Sequence, residues 1–169
     1  KASRGAKLPD VRQAARELRE FHVREGKAVA AASDRALLET LLDGHFGSHD
    51  HVLQEITLAG LVTPRLADAV VAFGELMSSA IFTFALRAAG TDAEWIDCRS
   101  VLATDEAFTR AQPLYEETRE RLRRLVAPVL ARGAVPVLGG YVGSTLDGRT
   151  TTLGKEGSRS VSGRGESIG

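Results

Sequence analysis

One carboxylate in this 169-residue chain is well placed to hold a small ligand. Glu75 lies in a long apolar stretch with helical spacing, nearly opposite Phe73. It shares its face with Asp68, Ala72 and Ser79, and small neighbours allow a substrate to approach closely. The alternative is a solvated surface glutamate, which is the commoner state of this residue.

A short apolar segment over residues 134–143 ends in glycines. This pattern is typical of a buried parallel strand that leads into a ligand-binding loop. Gly139 and Gly140 allow close approach to the backbone, and the main-chain amides beyond them can bind an anion. An ordinary turn is the alternative for this glycine pair.

Helices that alternate with short strands are predicted around these features. Apolar residues at helical spacing predict helices over residues 9–32, 33–44, 50–59, 63–90 and 113–132. Shorter apolar runs predict strands over residues 93–98 and 134–143. The longest helix begins at Thr63 and Pro64, and Pro128 should kink or end the last one. The apolar stripe of the longest helix should face the core: Leu66, Val70, Phe73, Met77, Ile81 and Phe84. Helices on both faces of a mostly parallel sheet make the fold class α/β.

Composition excludes several classes of function. The 22 basic residues balance 22 acidic ones, which leaves no basic surface for nucleic acid or anionic lipid. The single cysteine, Cys98, predicts a small core residue and a reducing compartment. No apolar run approaches the roughly 20 residues that span a bilayer, and the first residues lack the hydrophobic core of a signal peptide. We expect a cytoplasmic protein without a nucleic-acid or membrane partner.

Three histidines lie close together in the sequence and raise the question of a metal site. His45 and His49 have the spacing of some helical zinc ligands, and His51 follows. Gly47 and Ser48 interrupt helical continuity, so a solvated histidine-rich loop is the favoured interpretation, and no metal site is predicted.

Four ordered motifs carry a resemblance to a known family. They are Thr-Pro-Arg at 63–65, Phe-Gly-Glu-Leu-Met-Ser-Ser at 73–79, Gly-Gly-Tyr-Val-Gly at 139–143 and Asp-Gly-Arg-Thr-Thr-Thr-Leu-Gly at 147–154. With Ala-Glu-Trp-Ile-Asp at 93–97 between them, they closely resemble the aspartate kinases of the amino-acid kinase superfamily.

That resemblance implies a three-layer αβα sandwich of the amino-acid kinase type, incomplete here and helix-rich in its N-terminal half. It implies transfer of the γ-phosphoryl group of ATP, with Mg²⁺, to the side-chain carboxylate of L-aspartate, in the first step of lysine, threonine and methionine synthesis. Such transfer depends mainly on positioning and charge neutralisation, so residues that hold ligands are expected rather than a nucleophile. The full-length enzyme is expected to be a homo-oligomer.

The resemblance also assigns substrate-binding residues. It implies that Glu75 holds the amino-acid substrate and that Tyr141 lines its pocket. Beyond residue 154 the family has Arg-Gly-Gly-Ser-Asp, whereas this chain has Lys-Glu-Gly-Ser-Arg at 155–159. Lys155 keeps the positive charge but lacks the bidentate fork of arginine, and Gly157 and Ser158 match outright.

Departures from the family limit what can be assigned. Glu156 introduces a negative charge and Arg159 reverses that of the family's aspartate, which opposes the electrostatics expected around an anionic substrate. The family's phosphate-binding lysine and its aspartate have no match here. No catalytic or nucleotide-binding residue is therefore predicted.

The predicted organisation is a partial catalytic domain over residues 1–153, with a helical part at 9–89 and an α/β part at 90–153. Residues 154–169 form a Gly/Ser-rich tail that we expect to be disordered. The leading interpretation is a truncated segment of an aspartate kinase, and the sequence leaves open whether this segment is active alone. The alternatives are a non-catalytic relic or aspartate-binding protein of the same fold, and a kinase of another acidic amino acid.

Overall fold

The computed structural model describes residues 8–154, with side chains from residue 11 onward. Lys155, Gly157, Ser158 and the predicted disordered tail lie outside the described residues. The elements follow in this order: α1 Leu8–Val29, a 3-10 turn Ala32–Asp34, α2 Arg35–Ala59, α3 Pro64–Ala88, β1 Ala93–Trp95, α4 Cys98–Val101, α5 Tyr115–Leu125, α6 Ala127–Ala131, β2 Val135–Val137, β3 Val142–Ser144 and β4 Thr150–Thr152.

Helix α3 is the centre of the fold. Thr63 caps it by accepting a hydrogen bond from the backbone N–H of Leu66 at 3.3 Å, and Pro64 occupies its first turn, as predicted. The apolar stripe packs against α1 and α2, in a cluster of Ala30, Leu38, Leu42, Phe46, Phe73, Met77 and Phe84. A second side of α3 packs against the strands, in a cluster of Ala72, Leu76, Cys98 and Val142. The helix therefore separates the two helical neighbours from the strands.

The packing of α3 against the strands corrects one expectation. The face with Asp68, Ala72 and Ser79 was predicted to let a substrate approach, but all three residues are buried. Small side chains there allow close approach of the protein's own strands. Only the end of this face near Glu75, which is half-buried, remains open.

Within residues 8–154, α3 is also the one helix long and apolar enough to cross a membrane, with a mean hydropathy of 1.8 over an 18-residue window. The sequence-based statement that no stretch approaches this length is wrong by that measure. Contacts with α1, α2, β1, β2 and β4 make α3 the core helix of the fold.

Helix α2 is continuous, which corrects the prediction of two short helices at 33–44 and 50–59. Gly44 and Gly47 lie inside it, and the helix ends at Gly60, whose φ is 66°. A glycine inside a helix costs about 1 kcal/mol relative to alanine. Burial of Leu42 and Phe46 against α3 outweighs that cost because each buried apolar side chain contributes roughly 2 kcal/mol.

The strands form two small sheets that pack on α3. Strands β1 and β2 are parallel, as the sequence predicted, and in the observed register Ala93 lies opposite Val135. Strands β3 and β4 form an antiparallel hairpin with Val142 opposite Thr152. Its turn contains Gly148 at a φ of 85°. Both sheets therefore approach the same helix.

Two predicted boundaries move. Strand β1 ends at Trp95, because the side chain of Asp97 accepts a hydrogen bond from the backbone N–H of Arg99 and caps α4. The helix predicted over 113–132 divides into α5 and α6 at Val126, and Pro128 lies in the first turn of α6. A proline there removes a backbone donor, so the division confirms the prediction that Pro128 kinks or ends this helix.

Candidate functional site

A cleft of about 580 Å³ lies between α3 and the end of β2. Its walls combine one helix face with the segment that leaves the strand. The lining residues are Glu75, Ser78, Ser79, Phe82, Leu86, Val135, Pro136, Val137, Leu138, Gly139 and Gly140. The two features singled out in the sequence thus face one space, at the carboxyl end of a parallel strand, where α/β folds commonly bind ligands.

Close backbone contact holds the two walls together. A Cβ atom at Gly139 would lie 3.2 Å from the carbonyl oxygen of Glu75 and 3.4 Å from the hydroxyl oxygen of Ser79. A Cβ atom at Gly140 would meet nothing within 4 Å. Gly139 is therefore a packing requirement, whereas Gly140 leaves open space beside the cleft.

The chemistry of the cleft depends on one charge and two hydroxyl groups. Glu75 is the only ionisable side chain among the lining residues. Ser78 donates a hydrogen bond to the carbonyl oxygen of Glu75 at 3.3 Å, and Ser79 donates to that of Leu76 at 3.1 Å. A single carboxylate within a largely apolar wall suits a ligand that presents an ammonium group.

Ser79 also connects the cleft to β1. Its hydroxyl oxygen accepts a hydrogen bond from Nε1 of Trp95 at 3.0 Å. The ring of Trp95 in turn meets the ring of His45 edge-on, with centroids 5.3 Å apart. Through Ser79 and Trp95, the wall of the cleft is therefore connected to both β1 and α2.

Tyr141 lies directly after the glycines but is not among the cleft-lining residues. Its φ is 67°, in a region that non-glycine residues seldom adopt. Its carbonyl oxygen accepts a hydrogen bond from the backbone N–H of Leu153 at 2.9 Å, which joins it to the end of β4. The structure therefore brings Glu75 to the cleft and places Tyr141 beside the hairpin.

Gly143 has a structural role rather than one in ligand approach. A Cβ atom there would lie 2.7 Å from the carbonyl oxygen of Leu102 and 2.9 Å from Cγ2 of Thr104. For Gly143, the approaching group is the protein's own backbone.

Asp68 is a structurally important residue that the sequence analysis mentioned only as a neighbour of Glu75. Its side chain is 1% exposed. Its carboxylate accepts hydrogen bonds from the backbone N–H of Thr109, at 2.7 Å, and from the hydroxyl of Thr152. The sequence did contain a signal for this buried role, because Asp68 shares a face of an apolar helix with Ala72. A carboxylate that is buried on such a face must find hydrogen-bond donors.

The histidine interpretation was wrong. His45 and His49 are buried on the continuous helix α2, rather than solvated in a loop. His49 packs edge-on against Phe73, with ring centroids 4.9 Å apart. Nε2 of His45 and Nδ1 of His49 have no hydrogen-bond partner in the described part of the chain, and burial lowers the pKa of both rings. Residues 8–154 contain no group of three or more side chains able to hold a metal ion.

Cys98 is the small core residue that the sequence predicted. It is buried at the start of α4, and burial raises the pKa of its thiol to about 12. A thiol that stays protonated is not a nucleophile.

Helices packed around a parallel strand pair, with a cleft at the strand end, define an α/β domain. Residues 3–165 match the amino acid kinase family, and the chain belongs to that family. This match and the similarities described next confirm the fold class and the resemblance to aspartate kinases.

The chain is similar to several aspartokinases. Lysine-sensitive aspartokinase 3 of Escherichia coli is 40% identical over 114 residues, which cover 64% of this chain and 25% of that protein. A chloroplastic bifunctional aspartokinase/homoserine dehydrogenase 1 of Zea mays is 29% identical over 143 residues, covering 84% of this chain and 15% of that protein.

Solved structures give the same result. The crystal structure of E. coli aspartokinase III in complex with lysine and aspartate superimposes with a TM-score of 0.77 at 28% identity. The structure of that enzyme with aspartate and ADP gives 0.73 at 30% identity. Each match covers 91% of this chain and 33% of the other, so the chain spans about a third of these structures.

Proposed function

We propose that the chain is a segment of an aspartate kinase, which transfers the γ-phosphoryl group of ATP to the side-chain carboxylate of L-aspartate. The observation that carries this proposal is the position of Glu75, a lone carboxylate in a cleft against Gly139 at the end of β2. Family membership supports the reaction class, and two similar solved structures are complexes with aspartate.

In this proposal Glu75 accepts a charge-assisted hydrogen bond from the α-ammonium group of aspartate. The family resemblance alone assigns Tyr141 to the aspartate pocket, since this residue does not line the cleft. Lys155 meets a substrate carboxylate, and Gly157 and Ser158 contribute to the loop around it. These roles follow the family resemblance. They need the segment after Gly154 to approach the cleft.

The reaction forms one bond and breaks another. A side-chain carboxylate oxygen of aspartate attacks the γ-phosphorus atom of ATP while the bond from that phosphorus to the bridging oxygen of ADP breaks. The products are 4-aspartyl phosphate and ADP. The protein contributes position and electrostatic stabilisation, which supply most of the rate enhancement in phosphoryl transfer.

ATP and Mg²⁺ belong to the proposal through the family alone. Magnesium is commonly held by one or two carboxylates together with substrate phosphates. Among residues 8–154 there is no group of three or more His, Cys, Asp or Glu side chains that could hold a metal ion.

A binding protein without turnover is the second candidate. Glu156 and Arg159 depart from the family in charge, and the chain spans only about a third of the similar solved structures. A kinase of another acidic amino acid is the third candidate.

We further propose one partial domain over residues 1–153, a tail over 154–169, a cytoplasmic location in a biosynthetic pathway and a homo-oligomeric full-length enzyme.

The test combines binding and turnover on the purified chain. Calorimetry with L-aspartate, and with D-aspartate and L-glutamate as controls, measures recognition. Hydroxylamine trapping after incubation with ATP and Mg²⁺ measures acyl phosphate. Binding of L-aspartate with hydroxamate formation supports the kinase, and binding without hydroxamate favours the binding protein. Preference for L-glutamate would favour the third candidate, and no binding of any amino acid would contradict all three.

A further inference from the structure

A groove of about 600 Å³ lies between α1 and α2, and we call it the α1–α2 groove. It shares no lining residue with the cleft that contains Glu75. Its volume is within the range of pockets that bind small molecules in proteins. The function proposed above makes no use of this groove.

The groove forms because α1 and α2 pack tightly at one end and leave a space at the other. A Cβ atom at Gly26 would lie 2.9 Å from Cδ2 of Leu38, so the two helices are in close contact there. Towards the start of α1, the rings of His22 and Phe46 meet edge-on with centroids 6.0 Å apart. Beyond this pair, α1 contributes the short side chain of Ala15, and the space next to α2 stays unfilled.

Much of the wall of the groove is apolar. Val11 and Ala15 on α1 and Leu53 on α2 are half-buried and line it. Leu58 also lines the groove, although this leucine is 89% exposed. A ligand with an apolar body would remove part of these side chains from water, which is favourable in proportion to the apolar area covered.

The α1 side of the groove is positively charged. Three arginines line it, whereas Asp50 is the one acidic residue among the lining side chains. Arg19 forms an ion pair with Asp43 at 2.7 Å. Arg16 instead donates a hydrogen bond to the side-chain oxygen of Gln13 at 2.6 Å, and this uncharged partner does not neutralise the guanidinium. The groove therefore complements an anionic group.

Arg12 and Arg16 are placed to act on the same anion. They are four residues apart on α1, a spacing that brings two side chains to one face of a helix. Like charges at that spacing repel each other, and an anion between them removes the repulsion. A carboxylate suits this position because a guanidinium group can bind both of its oxygens. From Val11 to Arg19 the helix rises about 12 Å, enough to lie along an extended chain of about ten carbon atoms.

We propose that the α1–α2 groove is a binding site for an aliphatic carboxylate. Arg12 and Arg16 hold the carboxylate, and the aliphatic chain packs between Ala15 and Leu53. Asp50 on the opposite wall repels an anion, which keeps the carboxylate on the α1 side. Binding here is independent of the proposed kinase activity and of aspartate, because the groove and the cleft have no lining residue in common.

The test uses decanoate as the probe, below its micellar concentration, in calorimetric titrations of the full chain. Decylammonium has the same chain with the opposite charge, and acetate has the carboxylate without the chain. Arg12→Gln/Arg16→Gln removes the proposed anion contacts. Arg24→Gln is the matched control, because Arg24 lies on the same helix, is exposed and does not line the groove. Ala15→Trp fills the groove, and amide chemical shifts locate the bound probe.

Decanoate should bind and should shift the amide resonances of Ala15 and Leu53, whereas decylammonium and acetate should bind at least roughly tenfold more weakly. Arg12→Gln/Arg16→Gln should raise the Kd for decanoate roughly tenfold or more, and Arg24→Gln should bind as wild type does. Ala15→Trp should abolish binding.

Three results would overturn the proposal. The first is equal affinity for decanoate and decylammonium, because the arginines would then not select the ligand. The second is an unchanged Kd in the double arginine variant. The third is a failure of decanoate to bind, or binding that shifts only amides outside the groove.

Discussion

The indole Nε1 of Trp95 donates a hydrogen bond to the hydroxyl oxygen of Ser79, 3.0 Å away. Trp95 ends β1, whereas Ser79 is buried on α3 at the wall of the cleft. The same hydroxyl lies beside Gly139, at 3.4 Å from the position that a Cβ atom would occupy. One serine therefore meets β1 and the end of β2, and it sets how closely both approach the helix.

This relationship predicts energetic coupling between the two side chains. Trp95→Phe removes the donor, and Ser79→Ala removes the acceptor. A double-mutant cycle on the free energy of unfolding should give a coupling of about 1 kcal/mol, the usual contribution of a buried hydrogen bond. Urea denaturation of the four proteins measures it. Additive effects would show that the bond contributes nothing to the packing of β1 on α3.

Glu75→Gln should weaken aspartate binding while leaving folding nearly unchanged. The substitution keeps the shape of the side chain and removes the charge that would pair with the substrate ammonium group. Loss of a charge-assisted hydrogen bond predicts a rise in Kd of roughly tenfold or more by calorimetry. Glu120→Gln, on the exposed surface of α5, is the control and should bind as wild type does. Equal affinity in the Glu75 variant would remove this residue from the site.

A pair of glycine variants tests whether the segment after β2 contacts α3 closely. Gly139→Ala brings a methyl group to 3.2 Å from the carbonyl oxygen of Glu75, a tight contact that forces the segment after β2 or the backbone of α3 to move apart slightly. Gly140→Ala meets no neighbouring atom within 4 Å. We expect Gly139→Ala to lower stability by about 1 kcal/mol and to raise the Kd for aspartate roughly tenfold. Gly140→Ala should leave stability unchanged. Similar denaturation midpoints for the two variants would contradict the close contact.

The buried histidines predict a stability that decreases in acid. Burial is the main cause that lowers the pKa of His45 and His49 from 6.5. Arg99 lowers the pKa of His45 further while Asp97 opposes it, and Asp50 opposes the shift of His49. The unfolded chain therefore binds protons more readily than the folded protein does. As a result, the free energy of unfolding is highest with respect to these two groups above about pH 6.5 and decreases as the pH falls below that value.

Urea denaturation at about pH 7.5 and about pH 5.5 measures the effect. The variant His45→Leu/His49→Leu should lose less stability between these conditions than wild type does, since neither site can then take up a proton. His51→Leu, at an exposed position on the same helix, is the control and should keep the wild-type pH dependence. An unaltered slope in the double variant would assign the acid sensitivity to other groups.

Predictions from the sequence were confirmed where local chemistry decides the structure. Thr63 and Pro64 mark the start of α3 because a hydroxyl acceptor and a proline suit those positions in any helix. The parallel pairing of residues 93–95 with 135–137 followed from short apolar runs separated by helices. Glu75 reached the cleft because helical phase places it away from the Phe73 stripe.

Predictions failed where partners distant in the sequence decide the outcome. Gly44 and Gly47 resemble helix ends, yet contacts of α2 with α1 and α3 keep the helix continuous. His45 and His49 resemble surface groups, but their faces meet Trp95 and Phe73. Local propensity is worth about 1 kcal/mol per residue and is easily exceeded by tertiary burial.

The family, the central helix and the candidate residues for holding a ligand are evident from the amino-acid sequence without coordinates. The side of α3 that stays open, and the side that the strands fill, depend instead on packing between distant segments. Folding also brings Asp68 to Thr109 and Thr152, residues 41 and 84 positions away in the chain. The energy of a buried polar group depends on the donors around it, and these are brought together only by folding.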